Sequence, residues 1–209
     1  MIIRSLANTL PEYLMFGLFN GRRLKMKKIF ATNDKNAYAT VDDDIAETIQ
    51  RMNLKFRIHP KDYFISTTKI QLPGMAKKKY LFLHRFVWLL KTGEEPKLTV
   101  DHIDINPANN QFENLRLATV KQQNQHKGKR KDNTSGLIGI SHHHDKRGNG
   151  YDYWFTHIQK PDGHTKVKSF PYTPEGKIEA AKYYDQKAIE YFGKFHGELN
   201  FPSDNITGK

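Results

Sequence analysis

The chain has 209 residues, with 34 Lys plus Arg against 22 Asp plus Glu, ten His and no Cys. The missing thiols exclude disulfides, thiolate zinc sites and Cys nucleophiles, while 13 Phe, ten Tyr and two Trp exclude a wholly disordered chain, because aromatic side chains supply burial. A formal charge of +12 calls for an anionic partner, nucleic acid before an acidic membrane surface. The charge is spread along the chain: residues 1–120 hold 19 cations against 12 acids, and residues 121–209 hold 15 against 10.

Residues 1–25 match poorly with the rest of the chain and are read as an N-terminal extension, with Met26-Lys27-Lys28 resembling a natural start; the alternative is a short amphipathic helix over 11–18 that packs on the body. The apolar run Tyr13-Leu14-Met15-Phe16-Gly17-Leu18-Phe19 falls far short of a membrane span of roughly 20 residues. No small-x-small cleavage site comes after it, so a soluble, cytoplasmic protein without membrane contact is expected. Residues 26–96 predict a small α+β region. Ala37–Val41 is strand-like, and Asp42-Asp43-Asp44 supplies a cap and an acidic first turn for a helix carrying Ile45, Ile49 and Met52. Phe56–Ile58 and Tyr63–Thr67 alternate like strands around the turn His59–Asp62. The run Tyr80–Leu90 starts as a strand, carrying His84 and Arg85, and passes into a helix; Leu81, Phe82, Phe86, Trp88 and Leu89 are read as core.

Residues 97–127 carry the most chemistry. Leu98–His102 is a short strand, 104–110 a polar loop, Asn114–Ala118 a second strand, and Thr119 caps a helix over Val120–Lys127. Cleaving a phosphodiester needs a deprotonated water and stabilised charge on the phosphate and the leaving oxygen. A His near neutrality meets the first need, and a hard divalent cation on oxygen ligands meets the second. Asp101-His102 places a carboxylate and an imidazole side by side, and both serve one site only near a strand end, because successive strand side chains face opposite ways. Asn114 can orient an imidazole, and Asn124 can offer an amide oxygen to a metal. The loop Asn106–Asn110 reads as a turn rather than as part of a site.

These residues resemble the HNH endonucleases. His84-Arg85, Val100-Asp101-His102-Ile103-Asp104, Asn114-Leu115-Arg116 and Gln122–His126 are most similar to the branch holding the homing endonucleases of bacteriophages, whose site would be the host cytoplasm. The resemblance implies a ββα-metal (His-Me finger) fold at 97–127, with His102 as general base, Asn114 positioning it and Asp101 as metal ligand. The second ligand stays open among Asn124, Gln123 and His126, with Asn124 the best match. It implies Mg²⁺ (or Mn²⁺), no structural zinc, and His84, Arg85 and Arg116 at the DNA phosphates.

Residues 128–132 read as a basic linker; Lys127, Lys129, Arg130 and Lys131 are expected to track phosphates. From Asn133 a third pattern begins: strands at 138–142, 151–158 and 165–170, then a helix capped by Thr173 with Pro174 at its first position and Gly193 as its stop. Its packed stripe is predicted as Ile178, Ala181, Lys182, Asp185, Ala188, Ile189 and Phe192. Ser135–Ser141, Trp154–Ile158, Ala180-Ala181-Lys182-Tyr183-Tyr184-Asp185 and Leu199-Asn200-Phe201-Pro202 resemble the Apetala/ethylene-response-factor DNA-binding domain; the resemblance covers 133–202, nearly the whole module, in a domain expected at 133–203 with a tail at 204–209. That resemblance implies a three-stranded antiparallel sheet, backed by the helix, in the DNA major groove. The expected contacts are His142, His144, Lys146, Arg147, Trp154, Thr156, Lys166 and Lys168, with Trp154 on the DNA side or its edge. The three adjacent His are not expected to converge on a metal. The fold class expected is α+β, and the function a metal-dependent endonuclease acting on double-stranded DNA. The alternative is a non-catalytic DNA-binding regulator. The sequence shows no obligate protein partner and no oligomeric state.

Overall fold

The computed structural model describes residues 26–73, 75–147 and 150–202, so the reading of the N-terminal extension lies outside the described residues. The fold is α+β, and the chain divides into two compact units with the boundary between Thr119 and Val120.

The first unit opens with an antiparallel hairpin, β1 (Met26–Phe30) and β2 (Tyr38–Asp42), in the register Met26 opposite Asp42 to Phe30 opposite Tyr38. Ala39 and Val41 point inward from β2 and are fully buried, as period two requires. Helix α1 (Asp43–Arg51) begins at once, with Asp43 and Asp44 in its first turn where the helix dipole favours anions. Asp42 is the N-cap residue, yet its side chain makes no cap bond. Its carboxylate instead accepts from the Phe112 N–H at 3.1 Å, a tie across 70 positions that the expected local cap did not foresee. Lys91 Nζ neutralises this corner, 2.8 Å from Asp44 Oδ2 and 3.7 Å from Asp42 Oδ2. A second hairpin, β3 (Phe56–Ile58) with β4 (Phe64–Ser66), precedes helix α2 (Leu83–Thr92), which Gly93 ends at φ 74°. The expected strand before α2 shrinks to a bridge between Ile65 and Phe82, so His84 and Arg85 lie in the first helical turn and not on a strand. The core joins Val41, Ile45 and Ile49 to Phe56, Leu83, Phe86 and Val87, with the Phe56 and Phe86 rings edge to face at 5.9 Å. Phe82 and Trp88 are only partly buried at its margin.

The third hairpin pairs β5 (Thr99–His102) with β6 (Leu115–Ala118), setting Asp101 opposite Arg116 and His102 opposite Leu115. A 3₁₀ turn at Phe112–Asn114 takes Asn114 out of the strand it was expected to begin. The loop between the strands is fixed to β2: Thr40 N–H donates to the Ala108 carbonyl at 2.7 Å, and Asn110 N–H to the Thr40 carbonyl at 2.8 Å.

The second unit starts with the short helix α3 (Val120–Gln125), two residues shorter than its pattern suggests. Strands β7 (Ile140–Asp145), β8 (Tyr151–Gln159) and β9 (Thr165–Pro171) form one antiparallel sheet in that order. Helix α4 (Pro174–Phe192) is capped by Thr173, whose hydroxyl accepts from Gly176 N–H at 3.0 Å. Its buried stripe is Gly176, Ala180, Ala181, Asp185 and Ala188, whereas Ile178 and Lys182 are exposed. The predicted stripe is therefore rotated, because the helix lies close to the sheet and needs small side chains there; a Cβ on Gly176 would strike the Pro171 carbonyl. Gly139, at φ 71°, leaves no room for a Cβ beside the Tyr184 ring. Buried Asp185 accepts from Asn200 N–H, Asn200 Nδ2 and Phe201 N–H at 3.0, 2.9 and 2.8 Å. The Leu-Asn-Phe-Pro ending is thereby locked to α4, and Asn200 bonds both the N–H and the carbonyl of Ile138. No described helix is long and apolar enough to cross a membrane.

Candidate functional site

Asp101 and His102 close β5, where the strand turns into the loop, and both are buried, at 6% and 4% exposure. His102 is the last residue of the strand, the strand-end position that the sequence reading required. Ile105 N–H donates to the His102 carbonyl at 3.0 Å, and Ile105 sits at φ 63°, a left-handed conformation that costs a β-branched residue about 1–2 kcal/mol. The loop withstands this because polar bonds hold it. Asp104 Oδ1 accepts from Asn106 N–H and Asn114 Nδ2, while Asp104 Oδ2 accepts from Asn109 Nδ2.

Asn114, expected to position the base, is hydrogen-bonded within the loop. Its Oδ1 accepts from Asp104 N–H at 3.1 Å and its Nδ2 donates to the Asn109 carbonyl at 2.8 Å, so Asn114 braces the loop. The asparagine that meets His102 is Asn110, 1% exposed, with Oδ1 at 3.3 Å from His102 Nε2. Asn110 Nδ2 donates to the Pro107 carbonyl at 3.0 Å, and this sets the amide direction. An oxygen facing Nε2 accepts only, which favours the tautomer with the proton on Nε2. The loop first read as a plain turn thus supplies a contact to the imidazole. Three Asn at 106, 109 and 110 were the available signal, but turn propensity explains Asn equally well.

His102 stands in a wall of rings. His84 lies at 5.3 Å between centroids and Tyr63 at 5.9 Å; Phe82 stacks on His84 at 5.5 Å with planes 12° apart. Tyr63, on the hairpin turn before β4, went unnoticed in the sequence, and burial followed by the nearby Asp101 raises the pKa of its phenol. Burial, then His102 and Arg85, lowers the His84 pKa to about 3, so it is a neutral ring at the pH of life. His84 therefore binds fewer protons folded than unfolded between about pH 3 and 6.5. Stability is expected to fall with acidification through that window, by up to about 1.4 kcal/mol per pH unit. Urea melts between pH 4 and 7 should show a flatter pH dependence for His84→Phe than for the native chain.

The two candidate arginines of the first unit, Arg116 and Arg85, are engaged with the protein. Arg116 Nε donates to Asp101 Oδ2 at 3.0 Å, with both side chains largely buried. Arg85 Nη2 donates to the Pro96 carbonyl at 3.0 Å and Nη1 to that of Leu98 at 3.4 Å, so it steadies the approach to β5. Among the described residues no group of three His, Asp or Glu converges. The oxygen chemistry of Asp101 still fits a magnesium ion, which takes few protein ligands and keeps waters and substrate phosphates for the rest.

In the second unit, Asn124 Oδ1 accepts from Lys127 Nζ at 3.0 Å, and His126 is buried. Lys129 bonds the Glu198 carboxylate through its N–H and the Gly136 carbonyl through Nζ. Arg130 is bidentate on Asp132, while Lys131 is exposed. The sheet sorts the other candidates by face. Trp154, Thr156 and Ile158 look toward α4, with Thr156 and Ile158 buried and Trp154 donating its indole N–H to the Thr173 carbonyl at 3.2 Å. Trp154 therefore belongs to the helix-covered side, against expectation. His142 and His144 share that side and converge on one oxygen, Asp152 Oδ1, at 2.6 and 3.1 Å. Lys168 Nζ lies over the Phe170 and Tyr183 rings, and Lys166 holds the register position opposite Ile158. Arg147 is paired with Asp145 in the β7–β8 turn.

The family model described as HNH endonuclease matches residues 81–125, which cover α2, the β5–β6 hairpin with its loop, and α3. Protein 3.8 of Escherichia phage T7 is 46% identical over 59 residues, 28% of this chain and 49% of that protein. An uncharacterized HNH endonuclease of Acanthamoeba polyphaga mimivirus is 38% identical over 115 residues, 54% of each. The chain thus spans about half the length of these curated relatives. No solved structure gives a significant match. Residues 81–125 are thus similar to the HNH endonucleases.

Proposed function

We propose that the chain is a metal-dependent endonuclease of the homing or nicking type, hydrolysing phosphodiester bonds in duplex DNA in the cytoplasm. The observation that carries this reading is the His102–Asn110 contact, which sets a buried imidazole of the HNH-like segment against an amide oxygen and so favours the proton on Nε2. His102 Nδ1 takes the proton of the attacking water, and Asn110 holds the ring in the tautomer that leaves Nδ1 basic. Asn114 acts at one remove by bracing the loop that carries Asn110. Asp101 would hold a magnesium or manganese ion. The ion, when bound, offsets charge on the phosphate and on the leaving oxygen. The products are 5′-phosphate and 3′-hydroxyl ends.

The sheet and helix of the second unit act, on this reading, as an Apetala-like DNA-holding module. The antiparallel order β7-β8-β9 and the capped helix behind it support that assignment. One site per chain acts on one strand at a time, so nicks should precede linear product. Incubating supercoiled plasmid with the chain should give open circles in magnesium and none in EDTA. Binding without cleavage in magnesium would point instead to a DNA-binding regulator.

A further inference from the structure

The face of the β7–β8–β9 sheet turned away from α4 is built of rings. Tyr151, Tyr153, Phe155 and His157 alternate along β8, with successive centroids 5.5, 6.4 and 5.9 Å apart. His143 of β7 joins them at 5.1 Å from Tyr153 and 5.9 Å from Phe155. Tyr151 is 57% exposed, as is Val167 on the neighbouring strand, and Asp145, opposite Tyr151 in the register, is neutralised by Arg147. Cations stand at both ends of the ladder: Lys146 in the turn entering β8, and Lys160 in the turn leaving it. The unit that carries the sheet is basic as a whole.

This chemistry differs from that of a groove reader. The edges of stacked base pairs in a major groove offer donors and acceptors, which are met by polar and charged side chains. A row of rings flanked by cations matches the π-faces of bases that have left the stack, with phosphates reaching the ends. We propose that this face binds single-stranded DNA, the exposed bases stacking on Tyr151, Tyr153, Phe155 and His143. The inference rests on the reading of the chain as a DNA enzyme and names a different form of DNA for this surface. A strand opened at or near a cut would be its ligand.

The test is fluorescence anisotropy of the full chain with a labelled oligo-dT strand and with a duplex of the same length, at fixed salt and in EDTA so that nothing is cleaved. Phe155→Leu keeps apolar bulk and removes a ring; Tyr151→Ala removes an exposed one that holds up no core. Each should weaken single-strand binding about five- to hundredfold, the range of one lost base stack, and leave duplex binding unchanged. Equal weakening of both ligands would overturn the proposal in favour of groove reading, and no change in either would show that the face does not take nucleic acid. Plasmid nicking, measured alongside in magnesium, separates the two readings. If the native chain fails to nick, the nuclease assignment falls, while the ring-dependent binding result still decides the surface.

Discussion

His102→Ala is expected to slow strand cleavage by about 10²–10⁴-fold, the contribution of a positioned general base, and to leave DNA affinity unchanged. The ring fills a buried place among His84 and Tyr63, so its removal also opens a cavity. The control is His102→Gln, which keeps most of the volume but no titratable nitrogen. It should be as inactive as the Ala variant while melting closer to the native chain. Single-turnover cleavage and anisotropy on the same preparations make the distinction between lost chemistry and lost fold.

Asn110→Leu should have the second largest effect. It removes the acceptor of the Nε2 proton and leaves the Pro107 carbonyl without its donor. Cleavage is expected to fall about ten- to hundredfold, the scale on which outer partners of a working His act, with kcat rather than KM taking the loss. Asn110→Asp restores an acceptor for Nε2 and is expected to recover activity over the Leu variant. A carboxylate there also favours the protonated ring, so the acid limb of the pH–rate profile should move to higher pH. A purely structural role for Asn110 would lower melting temperature in both variants without moving that limb.

Much of the architecture was legible because it is local. Thr173, Pro174 and Gly193 bound α4 by cap, first position and stop, and the structure keeps all three. Asp101-His102 could be read as a strand end with paired chemistry, and residues 81–125 now match a nuclease family. What escaped was set by distant contacts. Asn110 reaches His102 because its loop is hydrogen-bonded to Thr40, some seventy positions earlier, and nothing in the loop itself announces that path. Asp42 looked like a cap and instead accepts from Phe112 for the same reason. Strand period two separated Trp154 from Tyr153 correctly, but period alone does not say which side a helix will cover. Helix α4 covers the Trp154 side and leaves Tyr151 exposed on the other. Ile178 and Lys182 failed as packed residues because α4 approaches the sheet on Gly and Ala.

The most direct measurement is a nicking time course on supercoiled plasmid with native and His102→Ala chains, purified identically, in magnesium and in EDTA. The proposed function predicts open circles only with the native chain and only in magnesium. Cleavage by the His102→Ala chain at the native rate would contradict it.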